Sequence, residues 1–503
     1  MVHQYKLNGY NIVLDSESGC VHTVDDVAYD VIELYQNTPR EEIVDIITKR
    51  HSVTAEDVEE TLSDIDTLKD EHQLFTRDLF AGQAELFKER QSVVKAICLH
   101  VAHACNMTCG YCFAGEGEYH GEKALMSYET GKRALDWLIE NSGTRRNLEV
   151  DFFGGEPLLN FDVVKKLVAY GRSREKECNK NFRFTLTTNG MLLNDEVIEF
   201  ANKEMSNVVI SLDGRKSVND NMRKTHEGGG TYDAILPAFR KLAESRNQQN
   251  YYVRGTYTHY NTDFASDIIH MADLGFKELS IEPVVAPPEA PYALQESDIP
   301  KLLSEYERLA TEMLERKREG KGRDFTFYHY MIDLTGGPCI VKRISGCGVG
   351  TEYVAVTPSG DLYPCHQFVG EKDFLLGNIY DGITNSSVCD QFKCCNIYSH
   401  EECADCFAKL YCSGGCAANA HHTTGSITGV YDLGCQHHKK TDRMRHHAES
   451  GRDVRKSVNK FCLFPCYFDL PDLRKIESDL HKKETIALAV TAKSNSLFIF
   501  HLI

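Results

Sequence analysis

The sequence has no run near the roughly 18 apolar residues needed to cross a membrane. Its opening, MVHQYKLNGYNIVLD, has neither a long apolar stretch nor a small-residue cleavage site, so no secretory signal is read. A basic excess is missing as well. Asp and Glu number 74 against 56 Lys and Arg, and the formal net charge of −18 argues against a general nucleic-acid binder. These absences predict a cytoplasmic protein with no nucleic-acid or membrane partner. At 503 residues and 42% hydrophobic, the chain can bury sizeable cores in more than one domain.

Cysteine, by contrast, is abundant. Nineteen cysteines in a cytosolic chain point to metal or catalysis rather than disulfides. Cys105, Cys109 and Cys112 form one tight group, and eleven more lie between Cys339 and Cys435. Cys20, Cys98 and Cys178 stand apart and read as free thiols, as do Cys389, Cys394 and Cys395.

Three regions follow from the patterning. In residues 1–80, QYKLNGYNIVLD and CVHTVD flank the turn SESG and read as a β-hairpin. Three helices follow, opened by Asp25 and Asp26, by EEIVDIITKR, and by Thr54 as an N-cap. A hairpin with three helices is a winged-helix-like arrangement. Residues 93–330 repeat a strand-then-helix rhythm six times, which predicts an α/β fold: a partial (β/α)6, TIM-like barrel. The strands are VVKAICLHV, NLEVDFF, FRFTLTTN, NVVISLD, YYVRGTYTH and ELSIEPVV. Residues 335–440 lose the rhythm, are rich in Cys and Gly, and are expected to rely on metal in place of a normal core. Within them EYVAVTPSGDLYPC reads as a hairpin turning at Pro358-Ser359-Gly360. The basic, His-rich tail from about 437, including 441–503, gives no clear fold.

The chemistry centres on Cys105-Asn-Met-Thr-Cys109-Gly-Tyr-Cys112, a C-x3-C-x2-C run placed just after the first barrel strand. Three thiolates suit a [4Fe–4S] cluster whose fourth iron is left open; a zinc site is the alternative. The run CNMTCGYC resembles the signature of the radical S-adenosylmethionine superfamily. The resemblance extends, in order, to Gly154-Gly155-Glu156-Pro157, to Thr188 and Asn189 within TTNG, and to Ser211 and Asp213. It implies that Cys105, Cys109 and Cys112 are the catalytic cluster ligands. It further implies that Glu156 and the glycine backbone hold the methionine amino group. Thr188, Asn189, Ser211 and Asp213 then face the ribose and methionine, and Arg223 pairs with the methionine carboxylate. Tyr111 and Phe113 line the adenine side, helped by Glu282 and Pro283.

Cys403-x2-Cys406-x5-Cys412-x3-Cys416 followed by Cys435, with Cys347 and Cys365 upstream, resembles the seven-cysteine extension called SPASM. By that resemblance Cys403, Cys406, Cys412 and Cys435 hold one auxiliary cluster, and Cys347, Cys365 and Cys416 hold another. Either Cys339 or a substrate thiolate completes the latter. Three [4Fe–4S] clusters and S-adenosylmethionine are therefore the expected cofactors.

From the N-terminal arrangement, KLNGYNIVLD and YPCHQFVG, the chain is similar to thioether-forming maturases of ribosomally made Cys-rich peptides. This implies that residues 1–80 bind the leader of a precursor peptide by adding a strand to a sheet edge. It also implies a 5′-deoxyadenosyl radical that takes hydrogen from a peptide Cα, a sulfur-to-Cα bond, and a reducing ferredoxin or flavodoxin. A sulfatase-maturating enzyme and an iron–sulfur electron-transfer scaffold are the alternatives.

Overall fold

The computed structural model describes residues 1–450 apart from 8, 83–86, 91, 116, 120, 122, 322–324 and 332–339. Cys339, Cys462, Cys466 and the segment 451–503 therefore lie outside the described residues.

The N-terminal region differs from the expected two-stranded hairpin. QYKLNGYNIVLD is broken at Gly9, whose φ of +82° suits a tight turn. Strands β1 (Val2–Leu7), β2 (Tyr10–Asp15) and β3 (Cys20–Val24) form an antiparallel sheet with β2 in the middle. Helices α1 (Asp26–Leu34), α2 (Arg40–His51) and α3 (Ala55–Asp70) follow. Asp25 caps α1, and Thr54 with Asp57 forms a capping box on α3. Such a cap is worth about 1 kcal/mol. Val13, Val31, Ile43, Ile47, Val58 and Leu62 give this unit a core of its own.

The middle of the chain alternates as its rhythm predicts. The elements run β4 (Ala96–His103), β5 (Ala124–Leu125), α4 (Tyr128–Asn141), β6 (Asn147–Gly154), α5 (Phe161–Cys178), β7 (Asn181–Thr188) and α6 (Asp195–Glu204). They continue with β8 (Met205–Ser211), α7 (Lys216–Met222), α8 (Tyr232–Ser245), β9 (Tyr251–Tyr257), α9 (Ala265–Asp273), β10 (Glu278–Pro283), α10 (Ile299–Arg316) and β11 (Thr326–Phe327). Strands β4, β6, β7, β8, β9, β10 and β11 lie side by side in that order, all parallel. Every residue of β4 is buried, as expected for a parallel strand covered on both faces. Because the strands are parallel, their C-terminal ends share one edge of the sheet.

The Cys-rich region contains α11 (Ile340–Ser345), β12 (Tyr353–Val356), β13 (Asp361–Tyr363), β14 (Gly377–Asn378) and β15 (Gly382–Ile383). Helices α12 (Ser386–Cys394), α13 (Lys409–Cys412), α14 (Ala417–Thr424) and α15 (Asp432–Ser450) complete it. The hairpin at Pro358-Ser359-Gly360 is present as β12 and β13. Two expectations need correction. The region does build a core: Tyr353, Val354, Leu362, Phe368, Phe374 and Phe392 join the main hydrophobic cluster. They can do so because β12 pairs in parallel with β4 and extends the same sheet. In addition, the basic stretch after 437 begins as helix α15, which packs against α10 through His437 and Tyr306.

One buried ionic group ties the two regions together. Glu352, just before β12, meets Lys95 at 2.8 Å, Arg90 at 3.3 Å and Arg145 at 3.6 Å. Burial raises its carboxyl, but Lys95 and then Arg90 outweigh that and hold it below the usual carboxylate range. Replacing Glu352 by Gln leaves Lys95 and Arg90 buried without a counter-charge. The expected loss is about 3–5 kcal/mol, read as a lower denaturant midpoint.

Candidate active site

The cysteine loop leaves the C-terminal end of β4 and is pinned at once to a distant segment. Thr108 N donates to Lys224 O at 2.8 Å, and Gly110 N donates to Met222 O at 2.8 Å. Arg223 lies between those two anchors, so the loop and the arginine are positioned together. Within the loop, Cys105 faces Cys109 and Cys112. Burial first, then Glu156, push its thiol up to about 12, and the other two sulfurs add to this. Burial likewise raises Cys109, opposed by Arg223. Among the described residues, no three Cys, His, Asp or Glu side chains converge on the position of a single metal ion.

The Gly-Gly-Glu-Pro segment continues alongside the end of β4. Gly155 N donates to Ala102 O at 2.8 Å and Glu156 N to Ala104 O at 2.9 Å. A Cβ on Gly154 would lie 2.2 Å from Ala102 O, and one on Gly155 2.2 Å from Ala104 O. Both positions therefore need glycine to let the backbone approach so closely. Pro157 opens a short 3₁₀ turn, Pro157–Asn160. Glu156 is fully buried and joins the ends of β6 and β7. Its Oε1 accepts from Thr188 Oγ1 at 2.8 Å and Leu158 N at 3.0 Å, and its Oε2 accepts from Asn189 N at 2.8 Å. Burial is the larger effect and pushes this carboxyl up to about 7, against the lowering pull of those donors. Asn189 then reaches the cysteine loop: its Nδ2 donates to Asn106 Oδ1 at 2.8 Å and approaches Cys105 Sγ at 3.5 Å.

A second network sits at the end of β8. Tyr111 donates its hydroxyl to Asp213 at 2.7 Å, Arg223 donates to the Tyr111 oxygen at 2.9 Å, and Thr256 N donates to Asp213 at 3.0 Å. Arg223 is buried, and its Nε has no partner among the described residues. An unpaired guanidinium donor beside a buried aspartate leaves a ready place for a carboxylate. Ser211 lies at the last position of β8, on the same edge. Phe113 is exposed and leans towards His366, 5.6 Å away between ring centres. His366 also meets Phe153 at 5.2 Å, so it links the cysteine loop with the Cys-rich region.

The auxiliary cysteines assemble as two sets. Cys365 is raised first by burial, then by Cys416 and Cys347. Cys412 is raised first by burial, with Asp442, Cys403, Cys435 and Cys406 adding to it. Cys347 and Cys416 thus act on the charge of Cys365, and Cys403, Cys406 and Cys435 on that of Cys412. A pocket opens beside Cys416, lined also by Arg254, Glu282, His329 and Asn419. His329 and Glu282 pair at 2.9 Å. Burial raises the Glu282 carboxyl, but His329 and Arg254 hold it well below the usual range. Asn419 Oδ1 faces this region without a partner among the described residues.

Sequence reasoning missed Asn106, Arg254 and His366. Asn106 lies inside the cysteine motif and His366 follows Cys365, so proximity to a motif was the only available signal. Arg254 lies on a strand without any such mark.

The N-terminal sheet docks next to the second cysteine set. His3 stacks on Phe407 at 3.7 Å, and Lys409 meets Glu17 at 3.1 Å and Asp78 at 3.0 Å.

Comparison with known proteins agrees with this layout. Residues 99–274 match the radical SAM superfamily, and residues 347–407 match the SPASM iron–sulfur cluster-binding domain. An uncharacterised protein of Methanocaldococcus jannaschii is 32% identical over 27% of this chain and 44% of its own length. The radical SAM cyclopropyl synthase TigE of Paramaledivibacter caminithermalis is 21% identical over 69% of this chain and 72% of its own. A cysteine-type anaerobic sulfatase-maturating enzyme of Clostridium novyi is 23% identical over 63% and 85%. Among solved structures, anSMEcpe with bound AdoMet and a Kp18Cys peptide superposes with a TM-score of 0.57 at 19% identity, covering 71% of this chain and 99% of that one. Among the described residues no helix is long and apolar enough to cross a membrane. The chain thus carries a radical SAM domain at residues 99–274 and a SPASM iron–sulfur cluster-binding domain at residues 347–407.

Proposed function

We propose that the chain is a peptide maturase that joins a cysteine sulfur to a peptide α-carbon, in a ribosomally made Cys-rich precursor. The observation that carries the reading is the site at the C-terminal strand ends. There the cysteine loop, Glu156 and Arg223, with its unpaired Nε, surround one place. In this reading residues 93–330 are a partial barrel, 335–440 carry the auxiliary clusters, and 1–80 are a winged-helix-like unit that grips the leader.

Cys105, Cys109 and Cys112 fit three corners of a [4Fe–4S] cluster, and the two further sets fit auxiliary clusters, one of them with four cysteines. With S-adenosylmethionine bound, these groups supply a carbon radical and a path for the leftover electron. The protein's own work is to hold and shield. Glu156 takes the ligand's ammonium group, and Arg223 takes its carboxylate through a charge-assisted bond. Tyr111 and Asp213 keep the guanidinium aimed. The cavity beside Cys416 holds the reacting peptide segment, close to the first auxiliary set. Each bond would take one hydrogen atom from Cα and one proton from the thiol, and the electron left over is what a cluster held by the auxiliary cysteines would accept.

The deciding experiment incubates the reconstituted chain anaerobically with S-adenosylmethionine, a reductant and a Cys-rich precursor. The expected result is 5′-deoxyadenosine together with a peptide lighter by two hydrogens per crosslink. A sulfatase-derived peptide converted in its place would favour the sulfatase-maturing alternative, which the Clostridium novyi relative brings forward.

Three further outcomes are expected. Arg223→Lys cannot offer the same forked donors, so S-adenosylmethionine binding weakens on the order of tenfold to a hundredfold, matching about 1.5–3 kcal/mol for a charged hydrogen bond; calorimetry checks this. Glu156 binds an ammonium only when ionised, and its carboxyl sits at about 7. Affinity therefore falls as pH drops below 7, by roughly tenfold per unit, and Glu156→Gln removes that slope. Removing the leader from the precursor raises KM at least about tenfold and leaves kcat nearly unchanged, because the leader contributes tethering alone.

A further inference from the structure

We propose that Arg254 is a carboxylate anchor in the pocket beside Cys416, where it selects a peptide segment that carries a free carboxylate. This rests on the peptide-maturase reading and names the chemistry its substrate brings to the pocket.

The strand pattern puts Arg254 on the pocket wall. Along β9 fully buried residues alternate with half-buried ones, and Tyr252, Arg254 and Thr256 are the half-buried set. They share one face of the sheet. Tyr252 and Arg254 both line the pocket. In register, Arg254 stands opposite Ser211, the last residue of β8, and opposite Ser280 on β10. Two residues on, Thr256 N donates to Asp213 at 3.0 Å. The wall that carries Arg254 is thereby tied to the Tyr111–Asp213–Arg223 network at the strand ends.

Among the described residues the Arg254 guanidinium has neither a hydrogen bond nor an ion pair. Its charged neighbours are engaged elsewhere. Glu282 is the one acidic residue among those described on the pocket wall. Its Oε1 accepts from Ser280 Oγ at 3.1 Å and pairs with His329 Nε2 at 2.9 Å. Asp151 accepts from Thr187 Oγ1 at 3.2 Å, and burial pushes its carboxyl up to about 7, so it is a weak counter-charge near neutral pH. Arg445, the other arginine on the wall, donates to His329 O, and to Asp442 at 2.8 Å. Arg254 is left with a planar fork of donors, which matches a carboxylate through two bonds. The wall is thus locally basic in a chain whose formal net charge is −18. A second atom in the same wall also lacks a partner. Asn419 is 5% exposed, and its Oδ1 has no donor among the described residues. A buried acceptor is unfavourable until a ligand supplies a donor, and a peptide supplies one with every backbone N–H. The pocket therefore asks for both a carboxylate and a peptide N–H, which a peptide acid carries together.

The test measures binding to the full reconstituted chain by calorimetry, with S-adenosylmethionine present and no reductant, so that nothing turns over. The probes are three leaderless peptides. One is acetyl-Gly-Thr-Gln-Cys-Gly-amide, the second has Glu in place of Gln, and the third keeps Gln but ends in a free acid. At least one acid peptide is expected to bind roughly tenfold to a hundredfold more tightly than the neutral one, as a charge-assisted forked bond gives. The peptide that shows the gain tells a side-chain carboxylate from a C-terminal one. Arg254→Gln is expected to erase the gain while S-adenosylmethionine affinity and iron content stay as they were. Arg254→Lys keeps the charge but not the fork, so it retains only part of the gain, and it decides if Arg254→Gln fails to fold. Equal binding of the three peptides by the unaltered chain overturns the proposal. A gain that survives Arg254→Gln, or one undiminished in Arg254→Lys, overturns it as well. A Cys-rich precursor with its leader is titrated alongside. If the precursor binds and the probes show no preference, the anchor alone falls; if the precursor does not bind either, the peptide-maturase reading falls with it.

Discussion

Strand β4 is the constraint on which the rest of the structure depends. It is buried along its whole length, pairs with β6 on one side and with β12 on the other, and ends in the cysteine loop. A strand paired on both sides and buried on both faces cannot slip by one residue without breaking both ladders and repacking both layers. Its register therefore fixes two things at once. One is the distance from the cysteine loop to the strand ends that carry Glu156, Asn189 and Asp213. The other is the placement of the Cys-rich region, which begins as the next strand of the same sheet. Glu352, shared with Lys95, holds that junction closed at the other end of the strand.

Charge is handled in the site by pairing buried groups and leaving selected atoms free. Asp213, Tyr111 and Arg223 form a linked row in which the aspartate balances the guanidinium, yet one guanidinium donor stays unused. Glu156 has three donors from its own chain, and its carboxyl is nevertheless raised by burial. Both groups are more costly without a ligand than with one, since a buried unpaired donor or charge costs about 1–3 kcal/mol or more. A site arranged in this way favours a zwitterionic ligand that carries both an ammonium and a carboxylate.

Much of this was legible in the sequence, and the reason is periodicity. The parallel strands β4, β6, β7, β8, β9 and β10 are each a short apolar run followed by an amphipathic helix, so their number and order could be read directly. Thr54 and Asp25 announced helix starts, and the structure uses both as caps. The cysteine groupings were legible by resemblance. What could not be read depends on contacts distant in the chain. The pairing of β12 with β4 joins residues more than 250 apart, and nothing local in YVAV says which strand it will meet. Gly9 turns one expected strand into two, and only the pairing of β1 with β2 reveals the turn. Arg223 was singled out by resemblance alone; its burial comes from the cysteine loop folding back over it, a contact distant in the chain. Phe113 meets His366 of the Cys-rich region, a neighbour that nothing local to Cys112 announces. Helix α15 was obscured by its many His, Lys and Arg, which packing against α10 accommodates.

The docking of the N-terminal sheet has a consequence for synthesis. Tyr5 donates its hydroxyl to the carbonyl of Arg443, and Lys409 pairs with Asp78. These partners are separated by 438 and 331 positions. The N-terminal unit has its own core and can fold as soon as it leaves the ribosome. The surface it rests on is among the last parts of the described chain to be made. At about 5–20 residues per second, the wait is roughly 20 to 90 s. Throughout that interval the unit's docking face, with His3, Tyr5 and Leu14, stands uncovered, and any segment that could lie against it has the first opportunity to do so.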